Sequence, residues 1–229
     1  MSRTFVMGDI HGAYRALRQC LERSSFDFDH DQLISLGDVC DGWPETKASI
    51  DELLKIKNLT YIFGNHDFWT LEWMKSGFVD EIWLGQGGAA TIKSYTSGIP
   101  EAHIRFLEQS HLYKIIDNTL FVHAGFDQRH TLEEQGMNIF LWDRSLAFAA
   151  LEGYEKKHNR KLTAFDEVYI GHTPIEGNKP IQSGDVWLMD TGAGWTGVLS
   201  MMNIHTKEVF TSNPVPELYP GIEGRKKRR

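Results

Sequence analysis

Residues 5–12 read Phe-Val-Met-Gly-Asp-Ile-His-Gly, a short apolar run that ends in glycine, aspartate and histidine. The same arrangement returns in residues 34–42, Ile-Ser-Leu-Gly-Asp-Val-Cys-Asp-Gly, and in residues 61–67, Tyr-Ile-Phe-Gly-Asn-His-Asp. Three further apolar runs end in polar loops, namely His-Ala-Gly at 123–125, Gly-His-Thr at 171–173 and Asp-Thr-Gly-Ala-Gly at 190–194. Short apolar runs that end in glycine are typical of buried strands, so the pattern predicts six strands whose ends carry polar chemistry.

The rest of the chain alternates with these runs. The predicted strands are 4–7, 33–36, 60–63, 120–122, 168–170 and 186–189, and the predicted helices are 14–21, 46–55, 68–75, 102–108 and 146–157. Strands that alternate with helices of this length indicate βαβ units and a largely parallel sheet. Residues 197–204 and 207–211 read as consecutive strands, which makes the expected α/β architecture mixed.

The length and composition favour one folded unit. The chain has 229 residues, of which 41% are hydrophobic and 24% charged, which is ordinary for a globular domain. We expect a single catalytic domain over residues 1–213. A tail over residues 214–229, which contains three prolines, is expected to be linker-like. The five basic residues at its end, 225–229, are expected to be a solvated terminus, with an electrostatic arm as the alternative.

The charge balance excludes a general nucleic-acid binder. The formal net charge is −7, and residues 1–224 alone carry 19 basic against 31 acidic side chains, a charge of −12. No stretch approaches 18 consecutive apolar residues, and the first strand begins too early for a signal peptide. We therefore expect a cytoplasmic protein that binds neither nucleic acid nor membrane.

The polar loops are expected to meet at one place. In open α/β sheets ligands bind just beyond the carboxyl ends of the strands, so loops that are distant in sequence converge there. Imidazole and carboxylate groups without thiolates suit divalent Mn, Fe or Zn better than a structural zinc cage. The six loops therefore predict one metal-dependent site.

The ordered motifs Gly-Asp-Ile-His-Gly, Gly-Asp-x-x-Asp-Gly, Gly-Asn-His-Asp, His-Ala-Gly and Gly-His-Thr carry a family resemblance. They resemble the calcineurin-like metallophosphatases, in particular the phosphoprotein-phosphatase branch with its phage lambda and bacterial members and the related diadenosine tetraphosphatases. The resemblance covers residues 4–194. It implies a four-layer α+β sandwich in which two mixed β-sheets are flanked by helices.

The resemblance also implies two divalent metal ions, with manganese expected and iron or zinc as alternatives. Asp9, His11 and Asp38 would hold one ion. The second ion would be held by Asp38, Asn65, His123 and His172, with Asp38 bridging the pair. Two divalent ions would give an acidic protein the positive charge that it needs to bind phosphate.

The expected mechanism is attack on phosphorus by a hydroxide that bridges the metals. His66 is the expected general acid that protonates the leaving oxygen. Asp41 would orient its imidazole and keep it protonated. Both residues are thus candidate catalytic residues.

Three functions are consistent with these residues. The leading hypothesis is hydrolysis of phosphomonoesters, with Ser/Thr phosphoprotein as the substrate. The second is hydrolysis of dinucleoside polyphosphates of the diadenosine tetraphosphate type. The third is a non-catalytic phospho-binding scaffold, which the complete set of ligands disfavours.

One position departs from the family pattern. Protein-phosphatase relatives commonly read Asp-Arg-Gly in the second motif, with the arginine clamping the substrate phosphate, whereas this chain has Gly42 after Asp41. Arg144 lies where related bacterial enzymes place a second phosphate-binding arginine. It is the candidate substrate-binding residue, and a surface ion pair is the alternative.

Overall fold

The computed structural model describes residues 2–225 and shows two five-stranded β-sheets packed face to face. The strands are β1 Thr4–Met7, β2 Gln32–Ser35, β3 Asn58–Tyr61, β4 Tyr113–Ile116, β5 Thr119–Val122, β6 Glu167–Ile170, β7 Ile181–Ser183, β8 Val186–Leu188, β9 Ser200–Asn203 and β10 Val209–Thr211. The first sheet has the order β10-β9-β1-β2-β3 and the second the order β4-β5-β6-β8-β7.

Both sheets are mixed. In the first, β1, β2 and β3 run parallel, while β9 is antiparallel to β1 and β10 is antiparallel to β9. In the second, β5, β6 and β8 run parallel, and the antiparallel strands β4 and β7 form its edges. The predicted mixed architecture is confirmed.

The helices cover the outer faces of the sheets. They are α1 Tyr14–Arg23, α2 Thr46–Leu53, α3 Asn65–Ser76, α4 Glu81–Trp83, α5 Ala89–Ser94, α6 Glu101–Glu108, α7 Met137–Trp142, α8 Ser145–Glu155 and α9 Val215–Leu218. Residues Leu84–Gly88 join α4 to α5 through a kink at Gly87, where φ is +111°, and a 3₁₀ turn covers Leu132–Glu134. None of the helices in residues 2–225 combines the length and apolarity that a bilayer span requires.

Alternation along the strands explains the layers. Phe5 and Met7 pack with helices on the outer side of the first sheet, while Val6 between them belongs to the cluster between the sheets. In the second sheet, Phe121 and Tyr169 point inward and stack with ring centroids 5.1 Å apart. Successive strand residues point to opposite faces, and each fully buried side chain of this size contributes about 1.5–3 kcal/mol. The four-layer sandwich predicted from the resemblance is confirmed.

The sequence predictions differ from the structure at edges and connections. The structure adds the edge strands β4 and β7, the short helices α4, α5, α7 and α9, and the kink at Gly87 between α4 and α5. The prediction of a linker-like tail is wrong at its start, because Val215 and Tyr219 are buried in the core. Arg225, the first residue of the basic run, is half-buried. The rest of the basic run, residues 226–229, lies outside the described residues.

Candidate active site

The predicted loops converge at the carboxyl ends of the parallel strands. The backbone N–H of His172, after β6, donates to the Asp9 carboxylate, after β1, at 3.1 Å. His123, after β5, donates from Nδ1 to the carbonyl of Leu36, after β2, at 2.7 Å. These bonds join the two sheets, and all the predicted ligands are buried where they meet: Asp9, His11, Asp38, Asn65, His123 and His172.

Four side chains of the site project from left-handed backbone. The φ angles are +52° at His11, +52° at Asp38, +70° at Asp41 and +60° at His172. This conformation is uncommon outside glycine, although Asp and His tolerate it better than most residues. It costs on the order of 1–3 kcal/mol per residue and persists only where the surroundings enforce it. The concentration of strain here is typical of a functional site.

Asp38 lies at the centre of two groups of potential ligands. Its Oδ2 is 3.8 Å from Nε2 of His11 and 3.4 Å from Nε2 of His123. One group of mutually close donor atoms contains His11, Asp38 and His66, and another contains Asp38, His123 and His172. Gly64 permits this position, because a Cβ at residue 64 would lie 2.1 Å from Oδ1 of Asp38. A carboxylate shared by two donor sets fits a pair of cations.

Asp9 belongs to neither group of close donor atoms, although the resemblance implies that it is a metal ligand. Its Oδ2 is 3.9 Å from Nε2 of His11, and both carboxylate oxygens accept the backbone N–H of His172. His66 takes its place in the first group of close donor atoms. The assignment of Asp9 as a ligand and of His66 as the acid stays a prediction.

The imidazoles are oriented as metal ligands require. His11 donates from Nδ1 to the carbonyl of Cys40 at 3.0 Å, as His123 does to Leu36, so the Nε2 atoms of both rings point into the site. Nε2 of His172 is buried without any hydrogen-bond partner among the described residues. Metal-binding histidines commonly donate their other ring N–H to a backbone carbonyl, which fixes the tautomer. A buried imidazole nitrogen without a hydrogen-bond partner is unusual, and a bound cation would satisfy it.

The electrostatics of the site agree with this donor set. Burial lowers the pKa of His11 and of His172 well below the usual range, so both are neutral and can bind a metal. Burial also acts on His123, but the Asp38 carboxylate outweighs it and raises the pKa of His123 to about 9. The Asp38 carboxylate thus stabilises positive charge in its surroundings. The buried donors fit divalent cations in their chemistry and in their charge.

His66 and Asp41 form a buried pair beside the ligands. Nδ1 of His66 lies 2.7 Å from Oδ2 of Asp41. Asp41 is itself held, because its carboxylate accepts bonds from Nε1 of Trp83 at 2.7 Å and from the Thr91 hydroxyl at 2.7 Å. A carboxylate that is fixed in this way sets both the orientation and the tautomer of the imidazole, which leaves Nε2 for the cleft.

Asp67 organises the loop that carries Asp38. Its carboxylate accepts the backbone N–H of Asp38 at 2.8 Å, of Val39 at 3.0 Å and of Gly64 at 3.0 Å. It also accepts the Tyr61 hydroxyl at 2.8 Å. The polar groups involved are buried, so the bonds have no competition from water. The position of Asp67 directly after the expected acid predicts that it supports the loop, and these bonds are how it does so.

Asp67→Ala is expected to lower the free energy of unfolding by roughly 3 kcal/mol or more. Each buried N–H that loses its acceptor costs about 1–3 kcal/mol, and those of Asp38 and Gly64 have no other acceptor among the described residues. Urea unfolding followed by circular dichroism measures the change. The matched control is Asp29→Ala, which removes an exposed ion pair with Lys57 and is expected to cost about 1 kcal/mol or less. Equal losses in the two variants would contradict the role of Asp67.

Arg144 lies in the wall of the cleft, and its role in binding substrate stays a prediction. Its Nη1 donates to the carbonyl of His172 at 3.1 Å and to the Thr173 hydroxyl at 2.9 Å. The cleft encloses about 170 Å³. Its wall also contains residues that sequence reasoning did not assign to the site, namely Trp69, Gln86, Trp142, Trp195 and Arg225.

Comparisons with known proteins agree with the site. A family model described as Calcineurin-like phosphoesterase matches residues 2–187. The chain is 25% identical to serine/threonine-protein phosphatase 1 of Salmonella typhimurium, over 87% of this chain and 91% of the relative. It is 23% identical to the symmetrical bis(5'-nucleosyl)-tetraphosphatase of Pseudomonas fluorescens, over 95% and 98%. A crystal structure of a candidate diadenosine tetraphosphatase superimposes with a TM-score of 0.70 at 18% identity, over 93% of each chain.

Proposed function

Because this chain belongs to the calcineurin-like phosphoesterase family, a family of hydrolases, we propose that it is a dinuclear phosphatase of phosphomonoesters, with phosphorylated Ser/Thr protein as its substrate. The observation that carries the proposal is the position of Asp38. Its carboxylate belongs to both groups of close donor atoms, and the His66–Asp41 pair lies in the same site. A site for two cations beside an acid–base pair suits hydrolysis of a phosphoester.

In this proposal the predicted ligands divide into two sets. Asp9, His11 and Asp38 hold one ion, and Asp38, Asn65, His123 and His172 hold the other. When bound, a pair of ions such as manganese supplies an activated water and neutralises the phosphoryl oxygens. The left-handed backbone at His11, Asp38 and His172 turns these three ligands inward before any cation binds, so this part of the site is preorganised.

His66 is the proposed general acid. Its Nδ1–H donates to Asp41, so protonated Nε2 can deliver a proton to the leaving oxygen. Asp41 is the positioning residue, because it touches the imidazole and not the cleft, and Trp83 and Thr91 keep it in place. Proton delivery matters most for an alkoxide leaving group such as that of serine or threonine, which is a strong base.

The size of the cleft supports a monoester. A space of about 170 Å³ suits a phosphoryl group and is smaller than the 300–1,000 Å³ typical of sites for larger organic ligands. The peptide portion of a phosphoprotein would remain outside it.

A dinucleoside polyphosphate is the second candidate, and the tryptophans of the cleft favour it. Trp69 lies against His66 with ring centroids 5.1 Å apart, and Trp142 lies 6.3 Å from Trp69. Indole rings at the mouth of a phosphate site can stack with a nucleobase. The relative from Pseudomonas fluorescens, whose name states activity on such compounds, aligns over nearly its full length.

Turnover of three substrates by the manganese-loaded protein tests the proposal. The substrates are a phosphoserine/phosphothreonine peptide set, p-nitrophenyl phosphate and diadenosine tetraphosphate. We expect hydrolysis of the phosphopeptides and of p-nitrophenyl phosphate with release of inorganic phosphate. Activity on diadenosine tetraphosphate alone would reject the leading function in favour of the second, and no activity on any of the three would reject both.

Arg144→Ala is expected to raise KM for phosphopeptide roughly 10-fold or more while kcat changes less. The guanidinium faces the cleft, and a hydrogen bond from a charged group to a phosphate contributes about 1.5–3 kcal/mol. Steady-state kinetics measure the two constants separately. An unchanged KM would mean that Arg144 only supports the His172 loop.

A further inference from the structure

Residues 219–225 return from the outer face of the first sheet to the candidate active site. The Tyr219 ring stacks on Trp43 with centroids 5.1 Å apart, and its hydroxyl accepts the backbone N–H of Arg15 at 3.0 Å. Further along, the backbone N–H of Arg225 donates to the carbonyl of Gly194 at 3.0 Å. The segment is therefore anchored at both ends.

The side chain of Arg225 enters the cleft. Its Nη2 donates to Oε1 of Gln86 at 2.8 Å, and its guanidinium carbon lies 4.6 Å from the centre of the Trp195 ring. Its Nη1 lies 3.2 Å from Nε2 of His11, one of the predicted ligands. Nε is buried and has no hydrogen-bond partner among the described residues. Gln86 and Trp195 thus hold the positively charged guanidinium of Arg225 beside the predicted metal ligands. Its Nε–H remains available to donate a hydrogen bond.

Gly42 makes room for this side chain. A Cβ at residue 42 would lie 3.1 Å from Cγ of Arg225 and 3.5 Å from its Cδ. The φ angle of +107° at Gly42 also disfavours any side chain there. Gly87 is equally restricted, since a Cβ there would lie 2.6 Å from the backbone nitrogen of Gly42. The position at which the family pattern has an arginine is therefore packed against an arginine from elsewhere in the chain.

We propose that Arg225 supplies the phosphate-clamping guanidinium that position 42 lacks. The inference rests on the proposed function, because it assigns the phosphoryl group of the substrate as the ligand. Arg225 and Arg144 line the same cleft, so the phosphate is bound by two guanidinium groups in addition to the cations. The planar fork of donors on an arginine suits the oxygens of a phosphate.

The charges around Arg225 support this role. The nearby carboxylates of Asp9, Asp38 and Asp190 are all buried, and without compensation they repel a phosphate dianion. The lone pair of His11 Nε2 serves one partner at a time, either Arg225 or a cation. When a metal cation binds Nε2 of His11, the N–H groups of Arg225 are released from that nitrogen. They can then donate hydrogen bonds to a phosphate anion. A segment that only blocked the site would instead compete with both cation and phosphate.

Three variants test the assignment. Arg225→Ala removes the guanidinium, Arg225→Lys keeps the charge without the fork, and deletion of residues 226–229 removes four basic residues but keeps Arg225. The measurements are the affinity of the manganese-loaded protein for inorganic phosphate by titration calorimetry, the metal content, and KM and kcat for p-nitrophenyl phosphate. Thermal unfolding of each variant checks that it is folded.

Arg225→Ala is expected to weaken phosphate binding about 10- to 100-fold and to raise KM by a similar factor, with unchanged metal content. Arg225→Lys is expected to recover part of the affinity, and the deletion is expected to match the parent protein. Unchanged phosphate affinity in Arg225→Ala would overturn the assignment. Tighter phosphate binding or a higher metal content would also overturn it and make the segment inhibitory. A parent protein that neither binds phosphate nor hydrolyses any of the three substrates overturns the proposed function as well.

Discussion

His66→Asn is expected to lower kcat for a phosphoserine peptide by roughly 10²–10⁴-fold, the usual contribution of a general acid. The amide can still pack against Asp41 but has no proton to deliver to the leaving oxygen. The effect should be much smaller for p-nitrophenyl phosphate, because nitrophenolate leaves without protonation. Steady-state kinetics on the two substrates, with metal analysis of the same samples, measure the difference.

The matched control for this variant is His205→Asn, which changes an exposed histidine far along the chain and should leave kcat unchanged. The structure makes the metal analysis decisive, because His66 lies with His11 and Asp38 in one group of close donor atoms. If His66→Asn loses its metal, His66 is a ligand and the assignment of the acid is wrong. If the two substrates lose activity equally, proton delivery is not the role of His66.

Exhaustive chelation is expected to reduce activity by on the order of 10³-fold or more, and added manganese should restore it. Without cations the buried carboxylate of Asp38 faces the phosphoryl group unshielded, and stabilisation worth several kcal/mol is lost. The measurement is turnover of p-nitrophenyl phosphate before chelation, after it and after manganese is added back. Full activity in chelated protein would contradict the dinuclear proposal.

Asp38→Asn distinguishes a specific loss of metal from general damage. The amide is nearly isosteric and can still accept the backbone N–H of His66 through one oxygen. It cannot supply a negative charge to both groups of donors, so manganese should not restore its activity. Isothermal titration with manganese should show fewer or weaker sites than in the parent protein. Two manganese sites of undiminished affinity in this variant would mean that Asp38 is not a ligand shared by the two cations.

The central strands and the converging loops could be predicted because their signals are local. Alternating apolar residues around Val6 and Phe121, followed at once by glycine, give both the strand and the position of its end. The edge strands were missed because β4 and β7 are short and partly exposed, so burial imposes little pattern on them. The kink at Gly87 was missed because the close approach of Gly87 to Gly42, which are distant in sequence, leaves no local pattern.

The bonding partners of Asp67 and the role of Arg225 could not be predicted for a different reason. Asp67 acts through bonds to backbone groups of residues 38, 39 and 64, which no side-chain pattern reveals. Arg225 stands in a basic run that favours a solvated terminus, and its contacts lie with Gln86, Trp195 and Gly194, all distant in sequence. The only signal for it was the missing arginine at Gly42. The missing arginine indicates that another group must bind the phosphate, but it does not indicate which residue supplies that group.

The position of β1 in the middle of the first sheet has a consequence for synthesis of the chain. One edge of β1 pairs with β2 soon after both emerge from the ribosome, but the other edge waits for β9, almost 200 residues later. At about 5–20 residues per second, an unpaired edge next to the Asp9 loop lasts roughly 10–40 s. Such an edge can pair with other chains. Nascent chains that stop before β9 are therefore expected to be the aggregating species, and the yield of folded protein should fall when elongation is slowed between β8 and β9.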